Sequence, residues 1–197
     1  INIDKEEDDD ENHKSKLNIN LPLQVSPNMK IISLGEVVYD RPKYHTENYI
    51  YPVGYQIERE YYSIDDPNKY AIYRATILDG GDSPLFQVEC LDKSKKVFKG
   101  ESCSGPWVAA NIEVNKARVE KIIDSYDKTG LSGPLLFGLV FDRVKYMISH
   151  LPNASKCANY FIPKLFVRGV DDEIEGGKEI VFFNYHQKQK FNNITQK

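Results

Sequence analysis

Three stretches decide the fold: Tyr55-Gln-Ile-Glu-Arg-Glu-Tyr-Tyr62, Ala71-Ile-Tyr-Arg-Ala-Thr-Ile77 and Phe86-Gln-Val-Glu-Cys90. In the first, Tyr55, Ile57 and Tyr61 face one way and Gln56, Glu58 and Glu60 the other. That period of two belongs to a strand with one buried face. In the second, Ala71, Tyr73, Ala75 and Ile77 alternate with Arg74 and Thr76, and in the third Phe86, Val88 and Cys90 alternate with Gln87 and Glu89. Between them Asp79-Gly-Gly-Asp82-Ser-Pro84 supplies residues that tolerate positive φ, so a hairpin is the expected connection. Antiparallel sheet follows.

Beyond Gly105 the period lengthens. Val108, Ile112, Val119, Ile122 and Tyr126 recur at helical spacing, with Glu113, Lys116, Glu120 and Asp124 opposite and Pro106 suited to a first turn, which predicts an amphipathic helix of about five turns. A Gly-rich break, Thr129 to Pro134, leads to a second helix with Phe141, Val144, Ile148 and Leu151 on one face, ended by Pro152. One further strand is expected at Glu179 to Tyr185, within a C-terminal extension, residues 167–197. Residues 1–20 are acidic, Asn-rich and free of aromatics, the composition of a disordered leader. Strands followed by helices, without βαβ alternation, give an α+β layer fold.

The chain has 197 residues and a formal charge of −3, but the leader alone holds seven acids, Asp4 and Glu6 to Glu11. The body is therefore close to neutral, without the basic excess that phosphate neutralisation demands. Nucleic acid is not favoured as the main ligand. There is no apolar run long enough to span a membrane, and the N-terminal stretch is acidic, unlike a secretion signal. Cys90, Cys103 and Cys157 are odd in number and widely spaced, which argues against a disulfide framework or zinc finger and for a reducing compartment. Without a signal segment, the glycosylation patterns at Asn153 and Asn193 read as chance matches. A chain that begins at Ile1 reads as a piece of something longer, with room for a catalytic domain elsewhere.

Nine of the 13 tyrosines fall between Tyr39 and Tyr73, whereas eight of the nine phenylalanines lie from Phe98 onward. Aromatics pack well on a pleated surface, and the same rings can form a stacking platform for bases.

These residues also carry a resemblance. Ser33-Leu-Gly-Glu-Val-Val-Tyr-Asp40, Tyr44-His45, Tyr49-Ile-Tyr-Pro-Val-Gly-Tyr55 and Pro84-Leu-Phe86 resemble the N-terminal FY-rich motif, FYRN. Phe98 to Trp107, Val114-Asn115, Arg118, Ser132-Gly-Pro134, Phe137-Gly-Leu139 and Leu151-Pro-Asn153 resemble its C-terminal companion, FYRC. The resemblance divides the module, residues 21–166, into a FYRN-like part, 23–92, and a FYRC-like part, 97–166. It implies one composite module, an antiparallel sheet with the FYRC helices packed on it. It also implies a nuclear, chromatin-linked setting, since such modules occur in trithorax-type histone methyltransferases, some Jumonji-type demethylases and transforming growth factor beta regulator proteins. Enzymatic work in those proteins belongs to other domains, so the implied partners are protein subunits of a chromatin or transcription complex. Small-molecule substrates and cofactors are not expected.

Against this stand three chemical readings. His45-Thr-Glu47 has the H-x-E spacing that could open an iron site completed by His150 or His186, but nothing in the sequence brings those ligands together. Gly100-Glu-Ser-Cys-Ser104 resembles part of a nucleophile elbow. Cys103 near a helix N-terminus would gain thiolate character, whereas the plainer reading is a turn with Ser104 as helix cap. Lys93-Ser-Lys-Lys96 is a basic cluster able to touch DNA or RNA phosphate or to sit in a solvated loop. Gly80-Gly81 and Gly176-Gly177 lack the spacing of phosphate-cradling loops.

The sequence thus favours a non-catalytic protein-interaction module, with a DNA- or RNA-contacting module as the alternative and an iron or thiol enzyme as a third reading. No metal or catalytic set is assigned. The expected interaction residues are the densest tyrosines, Tyr49, Tyr51, Tyr61 and Tyr62; adjacent Tyr61 and Tyr62 must point to opposite faces of a strand. Trp107, the single tryptophan, is expected to anchor the long helix to the sheet.

Overall fold

The computed structural model describes residues 19–66, 68–120 and 130–162. The leader through residue 18, Ile122, Tyr126, the Glu179 to Tyr185 strand and His186 lie outside the described residues. Six strands form one antiparallel sheet in sequence order: β1 Leu23–Ser26, β2 Met29–Glu36, β3 Val53–Tyr62, β4 Tyr70–Asp79, β5 Pro84–Cys90 and β6 Val97–Gly100. The expected hairpin joins β4 to β5, with Asp79 opposite Pro84 and Ile77 opposite Phe86.

β2 escapes a simple reading because its alternation is broken. Met29 and Ile31 face the core, the register then shifts between Ile31 and Ser33, and Leu34 takes over as the buried residue. This is the phase change a bulge produces. Gly35 sits at φ +69 beside β3, where a Cβ would collide with the Tyr55 nitrogen and the Val53 oxygen.

The helices α1 Gly105–Glu120, α2 Gly133–Leu136 and α3 Asp142–Ser149 cover one face of the sheet. Their core joins Ile31, Tyr55, Ile57, Tyr73, Ile77 and Val88 to Trp107, Phe137 and Val144, all fully or almost fully buried. The opposite face is wet, and Glu58 there bridges Lys30 and Arg74 across three strands. A one-sided antiparallel sheet is therefore the architecture. The α+β class with helices packed on an antiparallel sheet is correct.

The face of α1 differs from the expected one. Val108, Ile112 and Val119 are 44, 45 and 64% exposed, whereas Trp107, Ala110, Asn111, Val114 and Asn115 are buried. Both sets obey the helical period. Trp107 removes more apolar surface from water than any single valine, the small Ala110 permits close approach, and Asn111 is satisfied by the Tyr61 hydroxyl, which donates to its Oδ1 at 3.0 Å.

The Gly-rich break contains α2, started by Ser132, whose Oγ accepts from the Leu135 N–H. Gly133 is required there because a Cβ would strike the backbone between Cys103 and Ser104. The Ser104 hydroxyl accepts from the Gly133 N–H at 2.9 Å and so ties two turns together. The Gly105 N–H at the start of α1 goes instead to Ser102 Oγ at 3.1 Å.

Candidate functional site

β3 outruns β2. Its ladder with β2 begins at Arg59 opposite Met29, whereas Glu60, Tyr61 and Tyr62 continue against Ile72, Ala71 and Tyr70 of β4. At this end of the sheet an open cleft of about 510 Å3 lies between β3 and the segment leading into α2, with Asn28, Arg59, Tyr61, Tyr62, Tyr70 and Leu136 among its lining residues.

Its aromatic wall is layered by burial. Tyr61 is 7% exposed and packs edge-on against Tyr73 and Trp107, with ring centroids 5.8 and 5.5 Å away. Trp107 is fully buried, also meets Phe137, and stands where α1 begins over the sheet. Outside this cluster Tyr62 stacks on Tyr70 at 5.0 Å, with the Arg118 guanidinium 5.3 Å from the centre of the Tyr62 ring. Tyr70 is 64% exposed.

Tyr61 and Tyr62 thus share one cleft, with Tyr61 facing the core and Tyr62 the rim. Tyr49 and Tyr51 lie elsewhere, half-buried, Tyr51 edge-on to Phe86 at 5.3 Å and the Lys145 ammonium 5.1 Å from the centre of the Tyr49 ring. Phe86 pairs with Ile77 and Tyr61 with Ala71, so six residue steps along β4 separate the two clusters, about 20 Å along a strand. Burial pushes the Tyr51 phenol up to about 12, with Cys103 adding to the effect. Four neighbouring tyrosines in sequence therefore form two separate groups.

Two residues of the cleft escape the sequence reading. Tyr70 lies outside the densest tyrosine cluster, and only the register, which sets it opposite Tyr62, brings the rings together. Arg59 occupies a core-facing position of β3, between Ile57 and Tyr61 in the alternation. A charge at an apolar position was the available signal. Its Nη1 donates to the Leu135 and Leu136 carbonyls at 3.2 and 3.0 Å, and its guanidinium lies 5.8 Å from the Trp107 ring centre. No ion pair to Arg59 exists among the described residues, and its buried Nε has no acceptor there.

The chemical candidates are structural groups. His45 is buried, its Nδ1 accepts from the Asn159 N–H at 3.3 Å and its Nε2 donates to the Tyr39 carbonyl at 3.1 Å. Both nitrogens are thus committed, which removes His45 as an iron ligand; Glu47 is exposed, and no cluster of three metal-binding groups occurs among the described residues. His150 turns its Nδ1 to the Tyr146 carbonyl. Cys103 behaves opposite to the thiolate expectation, because burial pushes its thiol up to about 12. In the basic cluster Lys96 pairs with Glu113 and Lys95 donates to the Leu91 carbonyl, so two of its three charges serve intramolecular contacts.

The Tyr44-His45 step is a structural joint as well. The buried Tyr44 hydroxyl accepts from the Gly80 N–H and donates to Asp79, whose carboxylate also grips Arg41 through both oxygens. Arg41 is the main cause that holds the Asp79 carboxyl far below its ordinary range. This ties residues 41–45 to the β4–β5 turn.

Fold and composition together define an α+β module with most of its tyrosines in the first half and all but one of its phenylalanines in the second. Residues 20–80 match the F/Y-rich N-terminus model and residues 83–168 the F/Y-rich C-terminus model, and the chain belongs to this F/Y-rich family. The two matches meet in the β4–β5 turn, so the seven-pair ladder between these strands joins the halves. The chain is 30% identical to transforming growth factor beta regulator 1 of Rattus norvegicus over 132 residues, which cover 67% of this chain and 32% of that protein. The protein of that name in Xenopus tropicalis is 27% identical over 176 residues, 85% of this chain and 41% of its own length. Histone-lysine N-methyltransferase trr of Drosophila melanogaster is 30% identical over 139 residues, 68% of this chain but 6% of that enzyme. The chain thus spans about a third of the rat regulator it matches.

Proposed function

We propose that this chain is a non-catalytic protein-interaction module of a nuclear chromatin or transcription-regulatory assembly. The observation that carries the reading is the share of each relative that matches. A growth-factor regulator and a histone methyltransferase have in common with this chain a stretch that is only 6% of the methyltransferase, so what unites them is the F/Y-rich module and not a methyltransferase fold. The half-exposed aromatics support it. Interfaces concentrate energy in a few Tyr, Trp and Arg residues, and Tyr62, Tyr70 and Arg59 stand around one open cleft.

The test is a pull-down from nuclear extract with Tyr62→Ala, Tyr70→Ala, Tyr49→Ala and Tyr51→Ala, at two salt concentrations. The cleft variants should melt within a few degrees of the parent and capture a chromatin-complex subunit about tenfold less, roughly 1.4 kcal/mol. Retention of every partner by all four variants refutes the reading. Binding to nucleic acid alone, abolished by added salt, replaces it with the nucleic-acid alternative.

A further inference from the structure

We propose that the cleft beside Tyr62 and Tyr70 is a carboxylate-reading site, in which Arg59 receives an Asp or Glu side chain of the partner protein. This rests on the interaction reading above and adds the chemistry of what is recognised.

β3 places Arg59 on the helix-covered face, where its neighbours in register, Ile57 and Tyr61, are buried. Moving a guanidinium out of water is costly unless an anion or a full set of acceptors meets it. Burial accordingly pulls the Arg59 pKa down from its ordinary value, with only a small opposing effect from Tyr61, yet an arginine stays charged at neutral pH. The described residues offer it two backbone carbonyls and no carboxylate.

Those two carbonyls define what is left over. Both bonds are made by Nη1, which pins the guanidinium plane to the end of α2. Nε is buried without an acceptor among the described residues, and the bonds the guanidinium makes there run from Nη1 alone. Nε and Nη2 are the edge with which an arginine grips a carboxylate through two parallel bonds. A fork already oriented at one end loses little freedom when a ligand binds.

The surroundings suit a side chain delivered by a protein. Tyr62 and Tyr70 offer stacked ring surface at the rim, and Asn28 and Ser132 add polar groups to the lining. The carboxylate in the lining, Glu60, belongs to the opposite set of β3 side chains and makes no ion pair with Arg59. It disfavours a highly charged occupant such as a nucleic acid backbone more than it disfavours one acidic side chain beside an apolar one.

The experiment uses the full chain and an array of 12-residue synthetic peptides with one central Glu or Asp, each paired with its Gln or Asn counterpart. Hits are measured in solution by fluorescence anisotropy. Acidic peptides should bind at least tenfold tighter than their amide counterparts, and Arg59→Lys, which keeps the charge but loses the fork, should remove that preference. Because Arg59 also holds α2, each variant is melted in parallel. Should Arg59→Lys fail to fold, Tyr70→Glu serves instead: at an exposed position it sets a like charge at the rim and should lower the preference for acidic over amide peptides about tenfold or more. Peptides that bind without regard to the central acid overturn the carboxylate site while leaving the tyrosine surface intact. Displacement by millimolar inorganic phosphate as effective as by free acidic peptide marks a simple anion site and also overturns it. Acid preference unchanged in a folded Arg59→Lys, or unweakened in Tyr70→Glu, does the same.

Discussion

Trp107→Ala is the sharpest perturbation the fold offers. The indole is fully buried and touches Tyr61, Tyr73 and Phe137 at centroid distances of 5.5, 5.8 and 6.4 Å. Deleting a large aromatic from a core costs about 3–5 kcal/mol. The aromatic pairs push toward the top of that range, by roughly 0.5–1.5 kcal/mol for a well-placed pair. Against this, the indole N–H has no acceptor among the described residues, so its removal relieves a buried orphan worth about 1–3 kcal/mol. The expected loss is about 2–4 kcal/mol. For a domain of this size each kcal/mol moves Tm by roughly 3–5 °C, so the variant should melt about 6–20 °C lower. The assay is thermal and urea unfolding followed by circular dichroism, since Trp107 is the chain's one tryptophan and its fluorescence disappears with it. Trp107→Phe, which keeps a ring against Tyr61 and Tyr73, should recover part of the loss. A variant that melts within about 3 °C of the parent but no longer captures a partner would make Trp107 a binding residue and refute the anchor.

The buried Tyr55 hydroxyl donates to the Phe137 carbonyl at 2.9 Å; Tyr55→Phe orphans that carbonyl and should cost about 1–3 kcal/mol, and an unchanged urea midpoint contradicts it. All three cysteines are buried, and burial pushes the Cys103 thiol to about 12. Ellman's reagent at pH 8 should therefore label the native chain only as fast as it unfolds, and rapid release of one equivalent would show an accessible thiolate. Lys116 and Lys96 hold the Glu113 carboxyl down to about 2. A carboxyl depressed in the folded state stabilises above its unfolded pKa and loses that contribution as pH falls from about 4.5 toward about 2. Glu113→Gln should accordingly be slightly less stable than the parent at pH 7, a small effect for a solvated pair, and the two should converge near pH 2; parallel curves throughout would be incompatible with the pairing.

Much of this protein is decided within a few residues of chain. β3, β4, β5 and the hairpin between the last two are legible because a period of two and a Gly-Gly turn are local properties, set by side-chain alternation and by the backbone freedom of Gly81, at φ +86. The family, too, is carried by residues in order along the chain. The wall of the cleft is not local. Val108, Ile112 and Val119 satisfy the helical period as well as Trp107, Ala110 and Val114 do, and only docking on the sheet, where the indole buries most surface, selects between them. β2 is obscured because a bulge reverses its alternation after Ile31. Tyr70 reaches Tyr62 through strand register, and Arg59 gains its bonds from carbonyls 76 and 77 residues away. Long-range pairing is what sequence periodicity does not encode, because periodicity reports which side of an element faces inward and not what stands opposite it.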